Sequence, residues 1–302
     1  MKPFEGEVPR CVNIDSPWLA PFDGSLKATG LNNTSPHENM DSRVHLKKLR
    51  KQIGPLQELL FAAKQYSVLC IFQALDAAGK DGTIREVFSE LDPAGIRVAA
   101  FKRPTRVELA HDFLWRTTLQ LPRRGELCVF NRSYYEEVLS VKVHPEFLGA
   151  QYPGGIPDLQ TLWPARYQAI REHERHLATA NTLILKFWLQ VSPQEQAQRF
   201  LDRINEEDKR WKFSSRDVVE ASFRPAYDEA VLQMLNETSR PWAPWFAIPA
   251  DHKSFMRQQV AKIVHQALDA LPMEYPQSDF RDSTKMAEIS KQLEQEIKKG
   301  AN

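Results

Sequence analysis

The sequence predicts an α/β fold, a parallel sheet covered by helices on both faces. Two observations carry that prediction. Apolar strand candidates recur at 67–73, 96–101, 126–130, 182–190 and 245–248, with helical patterns between them. The first candidate also runs straight into a small-residue turn, Ala74-Leu75-Asp76-Ala77-Ala78-Gly79-Lys80-Asp81-Gly82-Thr83, and then a helical pattern at Ile84, Val87, Phe88 and Leu91. Strand, small-residue turn, Gly-Lys and helix is the context of a phosphate-binding loop.

Each element has its own warrant. Residues 1–42 carry Pro, Gly, Asn, Ser and Asp without a sustained period and read as an N-terminal extension. From Val44 the pattern is helical through Leu46, Leu49, Ile53, Leu56, Leu59, Leu60 and Ala63. Thr105-Arg106-Val107-Glu108 is a capping box that opens an apolar stripe at Ala110, Phe113, Leu114, Thr117 and Leu121. Ser192-Pro193-Gln194-Glu195 is a second box, with Pro at the first helical position. The tail places Met286, Ile289, Leu293 and Ile297 on one helix face, read as a packing face. The division is a core over 43–275 containing a lid at about 202–217, and a C-terminal helical tail over 276–302.

At 302 residues, 42% hydrophobic and 26% charged, the chain can bury a sizeable core. A net charge of +1 argues against nucleic-acid binding by global electrostatics, so a polyanion must be gripped by local basic clusters. Cys11, Cys70 and Cys128 are few and far apart, which suits a reduced setting. No apolar leader or membrane-length run is present, so no membrane partner and a cytoplasmic location are expected. The eight histidines offer no metal-ligand spacing.

The chemistry concentrates in three segments. In the phosphate loop, or P-loop, backbone N–H groups curl around phosphate oxygens, the helix dipole points at them, and Lys80 adds a point charge. The loop departs from the usual pattern twice: Ala74 replaces the first Gly, and Asp81 replaces the magnesium-binding hydroxyl. Asn131 stands where a second-strand carboxylate would hold the metal, so Asp76, Asp81, Glu136 or Glu137 must share that task. Arg132 is placed to meet a phosphate bidentately. The adjacent Glu136 and Glu137 would, on their own, read as a solvated helix face. The third segment, 203–217, holds five basic residues with Trp211 and Phe213 among them. It is either a charged connection or a mobile lid that closes cations over phosphates. The run Lys102-Arg103-Pro104-Thr105-Arg106 ends a strand, and so belongs at the carboxyl edge of the sheet where ligands gather.

Four segments together resemble the family-2 polyphosphate kinases: LDAAGKDGTIR at 75–85, FKRPT with ELAHDFLWR within 101–116, FNRSYYEEVLSVKVHP at 130–145 and DRINEEDKRWKFSSRD at 202–217. The Asn-Arg-Ser variant with paired glutamates is similar to the subgroup acting on nucleoside mono- and diphosphates. The resemblance implies a three-layer P-loop kinase-like fold with a helical lid. It also implies transfer of a phosphoryl group from inorganic polyphosphate to AMP or ADP, giving ADP or ATP, with Mg²⁺ as cofactor and a homodimer or homotetramer as the assembly. It assigns Lys80, Asp76 and Arg132 to catalysis, and Ala77, Ala78, Gly79, Asp81, Gly82 and Thr83 to phosphate binding. Lys102 and Arg103 would follow the polyphosphate, and Arg203, Lys209 and Lys212 would form the lid. Asp112, Arg116, Asn131, Glu136 and Glu137 would lie by the acceptor, with Asp76 and Glu137 on the metal. His111 is read as structural or acceptor-adjacent. The rival readings are an ATP-dependent P-loop kinase, which would keep Ser or Thr after Gly-Lys, and a nucleotide-binding switch, whose Asn-Lys-x-Asp motif the chain lacks.

Overall fold

The computed structural model describes residues 14–31, 40–212, 214–277 and 283–300. Five strands form one parallel sheet: β1 Ser67–Gln73, β2 Ile96–Ala100, β3 Leu127–Asn131, β4 Thr182–Gln190 and β5 Trp245–Pro249, in the order β2-β3-β1-β4-β5. The central β1 pairs Val68 with Leu127 of β3 and with Leu183 of β4. It lies wholly out of solvent, which explains its unbroken apolar run.

The eleven α-helices among the described residues are α1 Met40–Ala63, α2 Lys80–Val87, α3 Arg106–Leu109, α4 Trp115–Thr118, α5 Ser140–Val143, α6 Leu159–Thr179, α7 Pro193–Asn205, α8 Ser215–Ser222, α9 Arg224–Thr238, α10 Lys253–Asp269 and α11 Ser283–Gly300. Strand alternation divides the core into two layers. Val68, Cys70 and Phe72 of β1 face Ile53 and Leu60 of α1, Ile84 of α2 and Val260 of α10. Leu69 and Ile71 face Tyr167 and Ile170 of α6 and Val231 and Met234 of α9. Each such side chain contributes about 1.5–3 kcal/mol on full burial, so the three-layer stack is fixed by the strand pattern itself. Phe72, Phe187 and Phe246 stack across β1, β4 and β5, with centroid separations of 4.8 and 5.9 Å.

Three local expectations come out differently. The single helix expected after Thr105 is broken into α3 and α4, because Asp112 turns the chain. Its Oδ1 accepts from the Leu114 amide at 2.9 Å, and its carbonyl accepts from Trp115. The segment after Asn131 is a 3₁₀ turn, Tyr134–Val138, whose start is capped by the Ser133 hydroxyl. The apolar stripe of α11 does not pack in this chain: Met286, Ile289, Leu293 and Ile297 are all exposed.

Residues 18–20 of the N-terminal extension lie along the edge of β5. The Ala20 amide donates to the Trp245 carbonyl, the Ala247 amide donates to the Trp18 carbonyl, and the Trp18 ring meets Phe255 edge-on. These contacts cover an edge that would otherwise present unpaired backbone groups. Cys70 and Cys128 are buried thiols, whereas Cys11 lies outside the described residues.

Candidate active site

The loop between β1 and α2 takes its shape from two left-handed residues, Ala77 with φ +63° and Gly79 with φ +100°. At Gly79 any side chain would be strained, so glycine is required by the backbone. Thr83 is fully buried and donates its hydroxyl back to the Gly79 carbonyl at 3.0 Å, so it shapes the loop from behind. Lys80 opens α2 and folds over the loop, donating to the Ala74 and Leu75 carbonyls at 2.7 and 3.2 Å. Burial pushes its ammonium down to a pKa of about 8, assisted by Arg132 and opposed by Asp76, Glu136 and Asp81.

The end of β3 supplies the facing groups. Arg132, itself left-handed at φ +64°, donates to Asp76 Oδ1 at 2.6 Å and to both oxygens of Glu136 at 3.2 Å. The Ser140 hydroxyl donates to Glu136 Oε2 at 2.6 Å. Asn131 donates to Asp81 Oδ1 at 2.7 Å. Burial works to raise the Asp76 pKa, but Lys80, Arg132 and Arg203 outweigh it and hold the carboxyl below its ordinary value. Glu136 raises the Arg132 pKa against the opposing effect of burial, and Asp76 adds to that rise. Asp76 and Arg132 are therefore a fixed ion pair near neutral pH.

These groups open onto a cavity of about 630 Å³ at the carboxyl edge of the sheet. Its walls bring Asp76, Ala77, Ala78, Gly79, Lys80, Asp81 and Gly82 together with Lys102, Asn131, Arg132 and Arg203. A smaller recess of about 40 Å³ shares Asp76 and Arg132 and is walled by Glu136, Asp217, Glu220 and Tyr227. Arg203 meets Asp217 at 3.6 Å. Arg116 donates to the Lys102 carbonyl at 2.8 Å and lies over the Phe101 ring at 5.5 Å, so it braces this wall.

Other expected site residues stand apart. Arg103 is exposed and lines neither cavity, and the exposed Asp112 spends its carboxylate on the α3–α4 turn. His111 is exposed, stacking on Trp115 with centroids 3.9 Å apart and bonding the Val107 carbonyl. Glu137 points away from Glu136: Arg166 donates to its Oε2 at 3.1 Å in a buried ion pair, and the half-buried Gln151 donates to the same oxygen at 2.7 Å. The expectation of Glu137 as a metal and acceptor ligand does not fit this geometry, because the 3₁₀ turn sends the two neighbouring side chains to different sides and Glu137 lines neither cavity. Of the lid segment, Glu207–Lys212 is a 3₁₀ helix, while the side chains of Lys209 and Lys212 and all of Phe213 lie outside the described residues.

Sequence reasoning missed Gln196, Arg199, Asp202, Glu206 and Lys253, which also border these cavities. The first four fall on or next to one face of α7 at helical spacing, downstream of the second capping box. That spacing was the available signal. Lys253 follows β5 at the same sheet edge. Among the described residues no group of three or more His, Cys, Asp or Glu side chains could hold a metal ion by itself. Asp76 and Asp81 on one wall fit a different donor set, in which one or two carboxylates hold a magnesium ion together with phosphates and water.

A family model described as Polyphosphate kinase 2 (PPK2) matches residues 37–277. An ADP-polyphosphate phosphotransferase of Rhodopseudomonas palustris is 44% identical over 258 residues, covering 84% of this chain and 89% of the relative. An AMP/ADP-polyphosphate phosphotransferase of Meiothermus ruber is 45% identical over 231 residues, covering 76% and 82%. The crystal structure of Polyphosphate Kinase 2 from Arthrobacter aurescens TC1 superposes with a TM-score of 0.81 at 33% identity, covering 88% of this chain and 93% of that one.

Proposed function

The chain belongs to the Polyphosphate kinase 2 (PPK2) family and is a polyphosphate-dependent nucleotide kinase; we propose that it moves the terminal phosphoryl group of inorganic polyphosphate to ADP and AMP in the cavity around Lys80. One observation carries the assignment of the site: Lys80, Lys102, Arg132 and Arg203 converge on a single cavity with Asp76. Donor and acceptor are both polyanions and repel one another until cations neutralise them. Catalysis is then mostly positioning and charge stabilisation.

In this reading the loop and Lys80 hold donor phosphates, with Lys102 and Arg203 extending the cationic wall. Arg132, gripped by Asp76 and Glu136, presents a fixed guanidinium to the transferring group. Asp76 borders both cavities and would hold Mg²⁺ together with phosphate oxygens. The ion supplies neutralisation of the phosphate charge that faces it. Asp76 needs no role as a strong base, since a nucleotide phosphate is already largely ionised near neutral pH. The core at 43–275, the lid at 202–217 and the two terminal extensions belong to the same proposal, as do a cytoplasmic setting and a homodimer or homotetramer. The buried thiols of Cys70 and Cys128 are compatible with a reducing compartment. Among the described residues no helix is long and apolar enough to cross a membrane.

The test is an acceptor screen with polyphosphate and magnesium, with products separated chromatographically. ADP and ATP should form from AMP and ADP, and Lys80→Met should lose roughly 100-fold in turnover. Transfer from ATP alone, with polyphosphate inert, would replace this reading with an ordinary nucleotide kinase.

A further inference from the structure

The phosphate loop is held from behind by α7, the helix that leads into the lid segment. Gln196 Nε2 donates to the Asp76 carbonyl at 2.9 Å. Arg199 Nη1 donates to the Ala77 and Ala78 carbonyls at 3.0 and 2.8 Å. Three successive loop carbonyls are thus taken by two side chains one helical turn apart. The other end of the same guanidinium donates to the Ala250 and Asp251 carbonyls beyond β5, at 2.7 and 3.0 Å, and Glu195 accepts from its Nε at 2.7 Å. Arg199 is 5% exposed. One turn further along α7, Arg203 lines the cavity.

We propose that Gln196 and Arg199 are positioning residues that hold the loop in its phosphate-accepting shape and tie that shape to the helix carrying Arg203. Fixing the carbonyls of residues 76–78 fixes the direction of the amides that follow them, and the left-handed Ala77 needs such external support. A guanidinium suits the task because its fork reaches two pairs of carbonyls at once, which an ammonium cannot do. The carbonyls beyond β5 root this fork on the rigid sheet edge. The loop is thereby referenced to the sheet through α7 as well as through its own chain ends. The proposal rests on the reading of the loop as the donor-phosphate site.

The test compares the parent with Arg199→Lys and Gln196→Met by two measurements: calorimetric binding of tripolyphosphate, and amide exchange of residues 76–80 followed by mass spectrometry. Arg199→Lys should weaken tripolyphosphate binding by about tenfold or more and speed exchange at 76–80, while exchange in β1 and β4 stays as in the parent. Gln196→Met should do the same to a smaller extent. In steady state, kcat/KM for polyphosphate should fall while the KM for ADP holds. A folded Arg199→Lys protein with parental tripolyphosphate affinity and parental loop exchange would overturn the proposal. Should that variant fail to fold, Gln196→Met decides by the same two readouts. A parent that binds tripolyphosphate yet transfers nothing to nucleotides would sink the functional reading, and the binding and exchange comparison would still decide the clamp.

Discussion

Lys80 is the residue at which burial and function pull in opposite directions. Its ammonium is desolvated under the loop and titrates at about 8 instead of 10.5, yet phosphate binding needs the charged form. Because kcat/KM reports the free enzyme's groups, its value for polyphosphate should decline as pH rises through about 8. Lys80→Arg, which keeps its charge, should lack that limb even at a lower rate. Stability runs the other way. The folded pKa lies below the unfolded one, so the cost of burying this charge is full below about 8 and fades toward 10.5. Asp76 provides a second residue-scale test. Its carboxyl is held ionised by Lys80, Arg132 and Arg203, and Asp76→Asn keeps the shape while removing the charge. Turnover should drop sharply, and the magnesium concentration giving half-maximal rate should rise. An unchanged magnesium titration with a lowered melting temperature would mark a structural aspartate instead.

Between residue and fold stands the 3₁₀ turn after β3, which separates two adjacent glutamates. Glu136 joins Arg132 and Ser140 in the site, whereas Glu137 forms a buried pair with Arg166. Glu137→Ala leaves that arginine buried and unpaired, so about 3–5 kcal/mol of stability should be lost. The Michaelis constants of the folded fraction should stay close to parental. Glu136→Gln should show the converse, a slower reaction with little change in melting temperature. Comparing denaturation midpoints and rates of the two variants checks both halves. The same turn shows where the sequence was legible. The strands, their order of appearance and the phosphate loop follow from local patterns: unbroken apolar runs, small residues and Gly-Lys. The division of Glu136 from Glu137 does not, because it depends on Arg166 and Gln151, which come from distant segments. The grip of Arg199 on the loop is tertiary in the same sense, whereas the break at Asp112 is a local choice that the residue pattern leaves open. An Asp within an apolar stripe can turn the chain or stay helical, and an Arg on a helix face is ordinarily solvated.

At the scale of the whole molecule, the cations come from separate chain segments that meet only at the carboxyl edge of the sheet: Lys80 from α2, Lys102 after β2, Arg132 after β3 and Arg203 from α7. Lys209 and Lys212 are expected to extend this set from the lid. Exposed charges of a plain connection would contribute about 0–1 kcal/mol, so replacing both by Ala would then change little. If they close over phosphate, the double variant should turn over more slowly. Added salt should also inhibit the parent more than the variant, since screening removes an attraction already lost. Parallel salt curves at similar rates would leave both lysines as surface charges. The central claim is that the cavity accepts a long polyanionic donor. The most direct measurement is kcat/KM for ADP phosphorylation as a function of donor chain length, from tripolyphosphate to long polyphosphate. The value should rise as the chain grows long enough to reach Lys102 and Arg203 from Lys80. A flat profile, with polyphosphate of every length no better than ATP as donor, would contradict it.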